Sequence, residues 1–152
     1  MKIALINPQI PQNTGNIVRS CSVTATNLIL VTPLGFSTDS RMLKRAGLDY
    51  WEGVDVKEMN MEEFQKTLES QEKGSFYFFS SHASASYSSI TFSEHDILIF
   101  GSETSGLPDS LFKRWPQHFH TIPMTENKRC LNLATSAGIV LYEAWRQNNF
   151  SF

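Results

Sequence analysis

Cysteine is scarce in this 152-residue chain, with Cys21 and Cys130 the only two. They lie far apart, form no C-x-x-C pair, and so give little support to a disulfide framework or a zinc site. Reduced thiols and a cytoplasmic location are expected. Long apolar runs are missing as well: the longest, such as Leu28 to Val31 and Ile97 to Phe100, fall far short of the ~18 residues of a membrane span. The start, Met1 to Pro8, has no apolar signal-peptide core and no small-residue cleavage site, so it reads as a first strand. Basic charge is not in excess. With a net charge of −2, the field of the whole molecule would not draw in nucleic acid, and that role would need local patches. Two nucleotide signatures are absent. No G-x-G-x-x-G occurs, and the G-x-x-x-x-G of Gly101 to Gly106 is followed by Leu107-Pro108, where a phosphate loop needs Lys and Ser or Thr.

What is present describes one globular domain spanning 1–152. Apolar residues are 41% and charged residues 18%, with eight Gly and six Pro, which excludes disorder, collagen-like repeats and coiled coil. The length suffices for a real core without disulfides or metal. Strand and helix patterns alternate. Residues 2–6 and 28–32 are short strand-like runs, and Thr14 to Ala25 between them reads as a helix with Asn13 or Thr14 as N-cap. A second helix is expected over Asp39 to Ala46, closed by Gly47, and a strand over Val54 to Lys57. Asn60 and Glu63 make a capping box for a helix carrying Phe64 and Leu68 to about Gln71. Phe76 to Phe79 and Ile97 to Phe100 lack alternation and read as central strands covered on both faces. The serine-rich stretch Ser80 to Ser93, with His82 and Tyr87, suits a mobile surface loop. Pro108 at N1 and Asp109 open a short helix to about Arg114, His118 to Ile122 is the last strand, and Asn132 to Gln147 is a helix with Leu133, Ala137, Val140, Leu141 and Ala144 on one face.

This alternation predicts a mostly parallel α/β sheet between helical layers, with ligands at the carboxyl ends of the strands. Three segments stand there: Asn7 to Asn16, Gly101 to Pro108, and Ile122 through Arg129 to Leu133. Their glycine turns expose backbone groups that suit an adenine or ribose, or else are ordinary turns. Asn13, Arg19, Glu103 and Asn132 form a polar constellation able to orient a hydroxyl and balance developing charge, or else a capping and salt-bridge network. His118-x-His120 supplies too few ligands for a metal site, so no metal is expected. Cys130 follows two basic residues, yet no histidine is placed by sequence to serve as its base, and a small buried residue is the expectation. Candidate basic patches are Arg41, Lys44 and Arg45 on one helical face, Lys113-Arg114, and Lys128-Arg129.

The segments I-P-x-N-T-G-N-x-x-R (Ile10 to Arg19), F-G-x-E-T-x-G-L-P (Phe100 to Pro108) and I-P-M…R-x-x-N-L (Ile122 to Leu133), with Tyr142 to Gln147, span nearly the whole chain in order. Together they resemble the SPOUT class of RNA methyltransferases, and within it the small enzymes acting on the wobble ribose of leucine tRNAs. The resemblance implies a C-terminal deep trefoil knot, S-adenosylmethionine as cofactor with S-adenosylhomocysteine as product, and a homodimer acting on tRNA, with no role for DNA or membrane. It implies cofactor contacts near Phe79, Gly101, Gly106, Ile122, Cys130 and Leu131, and functional roles for Asn13, Arg19, Glu103, Asn132 and Tyr142. Two alternatives remain within the fold: ribose methylation at another tRNA or rRNA site, and a noncatalytic RNA- or cofactor-binding dimer. A small-molecule hydrolase is disfavoured, because no pair of nucleophile and base can be named.

Overall fold

The structure is a computed structural model that describes residues 1–37, 53–125 and 130–152. The strands are β1 (Lys2–Ile6), β2 (Asn27–Val31), β3 (Val56–Met59), β4 (Phe76–Phe79), β5 (Ala85–Ser86), β6 (Ile97–Phe100) and β7 (Phe119–Thr121). The helices are α1 (Pro11–Val23), α2 (Met61–Glu69), α3 (Asp109–Arg114) and α4 (Leu133–Gln147). The seven strands form one sheet in the order β3-β2-β1-β6-β4-β7-β5, and every pairing is parallel.

Successive side chains of a strand point to opposite faces, so each central strand supplies two cores. On one face Ile3, Leu5, Leu28, Leu30, Leu98 and Phe100 pack under Ile17, Val18 and Cys21 of α1 and Ala137, Val140, Leu141 and Ala144 of α4. On the other face Ala4, Ile6, Ile29, Val31, Ile97 and Ile99 pack under Phe64 and Leu68 of α2 and Leu111 of α3. Each large apolar side chain buried this way contributes about 1.5–3 kcal/mol. This is why Ile97 to Phe100 is apolar at every position: β6 is central and all four residues are buried.

Several boundaries differ from the sequence reading. Helix α1 begins at Pro11, not Thr14, and Asn13 and Thr14 lie inside it; the N-cap position belongs to Ile10, which has no side-chain cap. The first strand and the capping box are as expected: Asn60 Oδ1 accepts from the Glu63 amide and Glu63 accepts from the Asn60 amide. Strand β3 sits two residues later than expected. Within the serine-rich stretch, β5 pairs with β7 and is followed by a 3₁₀ turn at Tyr87–Ser89, so this stretch extends the sheet where a loop was expected. Pro108 is the N-cap of α3, one position before the expected N1. The helix expected over Asp39 to Ala46 lies outside the described residues, with Arg41, Lys44 and Arg45.

Candidate functional site

In this strand order the chain moves one way from β1, through β2 to β3, then crosses to the other side, where β4 and β5 come first and β6 and β7 later insert beside β1 and between β4 and β5. The connection after β1 leads into α1 on one face, while that after β6 leads into α3 on the other. Between two such diverging loops an open parallel sheet leaves a crevice at its carboxyl edge. Glu103 lies in it. One carboxylate oxygen accepts from the Gln9 amide at 2.8 Å, and the other accepts from the Ile10 amide at 3.2 Å and from Asn13 Nδ2 at 2.9 Å. The missing side-chain cap of α1 is thereby explained: an acid more than ninety residues away holds the backbone where the helix begins, and a carboxylate suits the positive end of a helix.

The chain of contacts continues into the third segment. Asn13 Oδ1 accepts from Asn132 Nδ2 at 2.9 Å, and Asn132 Oδ1 in turn accepts from the Ala134 and Thr135 amides, capping α4. Three loops at the ends of β1, β6 and β7 are thus tied by one polar line, Glu103 to Asn13 to Asn132. The capping network expected of the constellation joins Glu103, Asn13 and Asn132 and shapes the crevice, without Arg19.

The crevice opens into a cleft of about 820 Å³, within the range of small-molecule sites. Its walls include Asn13, Phe79, Gly101, Glu103, Gly106, Ile122, Cys130, Leu131 and Asn132. Arg19 is exposed on α1 and Tyr142 is 46% exposed on α4, edge to face with Trp145; neither lines the cleft. Gly101 is required by close approach, because an added Cβ would overlap the carbonyl carbon of Gly106 and stand 2.5 Å from the Leu107 amide nitrogen. Gly106 has φ +67°, where glycine is the residue without strain. The intervening loop is pinned at its neck, with the amides of Ser102 and Gly106 each donating to the other's carbonyl.

Some lining residues were not anticipated. Ser81 and His82 belong to the stretch expected to be a loop, and Asp109 and Phe112 come from α3. The signal for the first pair was position, since both closely follow the carboxyl end of β4; for α3 only the fold reveals it. Cys130, expected to be buried, is exposed, and its thiol donates to Ser81 Oγ at 3.4 Å across the cleft wall. The buried cysteine is Cys21, whose thiol burial pushes up to about 12. His118 and His120 do not act together: His118 stacks on Phe76 while His120 meets Tyr77 edge to face. Phe76 and Tyr77 belong to opposite faces of β4, and burial holds His120 below the ordinary imidazole range. Among the described residues no group of three His, Cys, Asp or Glu side chains is placed to hold a metal ion.

The electrostatics of the cleft narrow its ligand. Among the described residues its walls carry two carboxylates, Glu103 and Asp109, and neither Lys nor Arg. Two carboxylates suit a cationic ligand held by main-chain groups.

A family model for the SpoU rRNA methylases matches residues 1–142. The chain belongs to the SpoU methylase family. A tRNA (cytidine(34)-2'-O)-methyltransferase from Methylovorus glucosotrophus is 44% identical over 151 residues, covering 98% of this chain and 96% of its own. A solved structure concerned with 2-OH methylation of C/U34 on tRNA superposes with a TM-score of 0.88 at 39% identity, covering 97% of this chain and 95% of the other. An AdoMet-bound rRNA methyltransferase from Sinorhizobium meliloti superposes at 0.86 with 27% identity, covering 95% of this chain and 55% of that longer one. The SpoU methylase fold is thus the α/β parallel sheet described above.

Proposed function

We propose that this SpoU methylase transfers a methyl group from S-adenosylmethionine to the 2'-hydroxyl of the wobble ribose of tRNA, with leucine isoacceptors as substrates. The observation that carries this reading is the cleft at the β1/β6 crevice, shaped by the line Glu103–Asn13–Asn132. Its fit to the cofactor rests on its walls: a loop held tight by the close approach of Gly101 to Gly106, and two carboxylates that suit a cationic sulfur. Gly101, Gly106, Ile122, Cys130 and Leu131 would hold the cofactor through main-chain groups and apolar contact, with Phe79 closing the floor. S-Adenosylmethionine, when bound, supplies an electrophilic methyl on a cationic sulfur and leaves as S-adenosylhomocysteine. The ribose hydroxyl that receives the methyl would release its proton to solvent.

The protein's share of the catalysis is alignment and charge balance. A guanidinium is too weak a base to take up a hydroxyl proton, so the planar fork of Arg19 holds the adjacent phosphate and stabilises the developing alkoxide. Glu103 is engaged by three donors, so it positions Asn13 and does not take up the proton. Since Arg19 and Tyr142 lie outside the cleft of their own chain, a homodimer in which each copy lends these residues to the other's cleft accounts for their exposure. The chain works as one domain, its C-terminal segment threaded as a trefoil knot, in the cytoplasm, and on RNA, not DNA.

The test is incorporation of labelled methyl into tRNA from cells lacking wobble ribose methylation, followed by mapping. Label at the wobble ribose of leucine tRNA is expected. Label elsewhere would keep the reaction and discard the substrate, and no label despite cofactor binding would overturn the enzymatic reading.

A further inference from the structure

The segment between β1 and α1 is held from two sides. Toward β6, its Gln9 and Ile10 amides donate to the Glu103 carboxylate. Toward β2, it is held by Asn7, a residue with no part in the reaction proposed above. The Asn7 main-chain amide donates to the Val31 carbonyl at 2.9 Å, and Asn7 Nδ2 donates to the carbonyl of Pro33 at 3.2 Å and to that of Val31 at 3.4 Å. Asn7 has φ +49°, in the left-handed region that asparagine enters more readily than most residues. Among the described residues three other non-glycine positions share this conformation, Ala25, Asn149 and Phe150, and none of them follows a strand. A left-handed residue beside a site, kept there by its surroundings, points to a role in that site.

Two more bonds complete the clamp. Gln9 Nε2 donates to the Asn7 carbonyl at 2.8 Å, and the Gly35 amide donates to the Pro8 carbonyl at 2.9 Å. The loop after β2 lies so close here that a Cβ on Gly35 would stand 2.7 Å from Cα of Gln9. The segment therefore has no slack toward β2, and its amides meet Glu103 from a fixed place. Neither Asn7 nor Gln9 lines the cleft, so their influence on it passes through Glu103 and Asn13.

Resting on the methyltransferase reading, we infer that Asn7 is a positioning residue of the cleft: from outside it, Asn7 fixes the Gln9 and Ile10 amides, these hold the Glu103 carboxylate, and Glu103 sets Asn13 in the cleft wall. The loop after β2 thereby helps to shape a cleft that it does not line.

The experiment reads hydrogen exchange at the Gln9 and Ile10 amides and the Kd of S-adenosylhomocysteine, both well below the melting temperature. Asn7→Gly keeps the left-handed backbone free of strain and removes only the side-chain bonds. It is expected to speed exchange at the two amides roughly tenfold and to raise Kd by a similar factor. Asn7→Asp, which turns a carboxylate toward two carbonyls, is expected to do at least as much. In a Glu103→Gln background, Asn7→Gly is expected to change Kd little further, because both act along one line. A lower melting temperature with exchange and Kd unchanged would overturn the assignment and leave Asn7 a purely structural residue. Effects on Kd that multiply in the double variant would also overturn it. Should Asn7→Gly fail to fold, Gln9→Ala, which loses the bond to the Asn7 carbonyl and leaves the bonds of the Asn7 side chain, is expected to show the same two changes at smaller size; unchanged values there would overturn the assignment equally. A wild type that binds no S-adenosylhomocysteine would overturn the methyltransferase reading, while exchange at the two amides would still decide the role of Asn7.

Discussion

Asn132 Nδ2 donates to Asn13 Oδ1 at 2.9 Å, joining residues 119 apart in sequence. Each amide spends its other end elsewhere, Asn13 on Glu103 and Asn132 on the first turn of α4. Replacing Asn132 by Ala removes both that bridge and the cap, for a loss of about 1–2 kcal/mol. Asn13→Ala is expected to lose a similar amount, and the double variant less than the sum of the two. Denaturant melts of the four proteins decide this, since additive losses would show that the two amides do not act as a unit.

Glu103→Gln keeps the shape of the side chain but turns one acceptor into an amide NH2 donor. That NH2 must face either the Gln9 amide or the donors Ile10 and Asn13, and like donors repel. A loss of roughly 1–3 kcal/mol in stability and weaker cofactor binding are expected, with the pH dependence of turnover unmoved. A shifted pH profile would instead make Glu103 a participant in proton transfer.

Arg19→Lys preserves charge and removes the planar fork. Cofactor affinity is expected to remain, because the proposed partner of Arg19 is the RNA phosphate and not the cofactor, while turnover falls at least tenfold. Turnover like that of the wild type would show that the fork is dispensable.

Thr14 in α1 is wholly buried, and its hydroxyl has no hydrogen-bond partner among the described residues. Thr14→Val replaces an unsatisfied group by an isosteric methyl and is expected to raise stability by about 1 kcal/mol. A destabilised Thr14→Val protein would show that the hydroxyl is bonded in solution.

Glu143 on α4 accepts from Arg146 and Gln147, and these bonds hold its carboxyl at about 2. A carboxyl lowered in the folded state stabilises it at pH above the ordinary value of 4.5, and that contribution is lost as pH falls toward 2. Carboxyl NMR is expected to show a midpoint near 2, moving back toward the ordinary value in Arg146→Met.

Legibility in the sequence followed the distance over which each feature is decided. The Asn60 and Glu63 box is settled within four residues and reads off directly. The start of α1 does not, because Glu103 supplies its anchor from the loop after β6, distant in sequence though β6 pairs with β1. With that anchor, Asn13 is released from capping and becomes part of the cleft. Strand β5 was hidden for a related reason: two residues, Ala85 and Ser86, gain their structure only from pairing with β7. Three motifs in order were enough to gather most of the cleft walls from the sequence. Asp109 and Phe112 carried no such mark, since α3 is an ordinary short helix until the fold sets it beside the crevice.

Helix α4 covers the same face of the sheet as α1, and it is the last helix of the described chain. On a ribosome the N-terminal strands emerge first. Ile3, Leu5, Leu28 and Leu30 must then wait for residues beyond Asn132 before their cover is complete. Until then α1 covers that face without α4, and the cleft lacks the wall that Cys130, Leu131 and Asn132 supply. A chain that has not yet reached α4 therefore exposes hydrophobic surface that the finished fold hides.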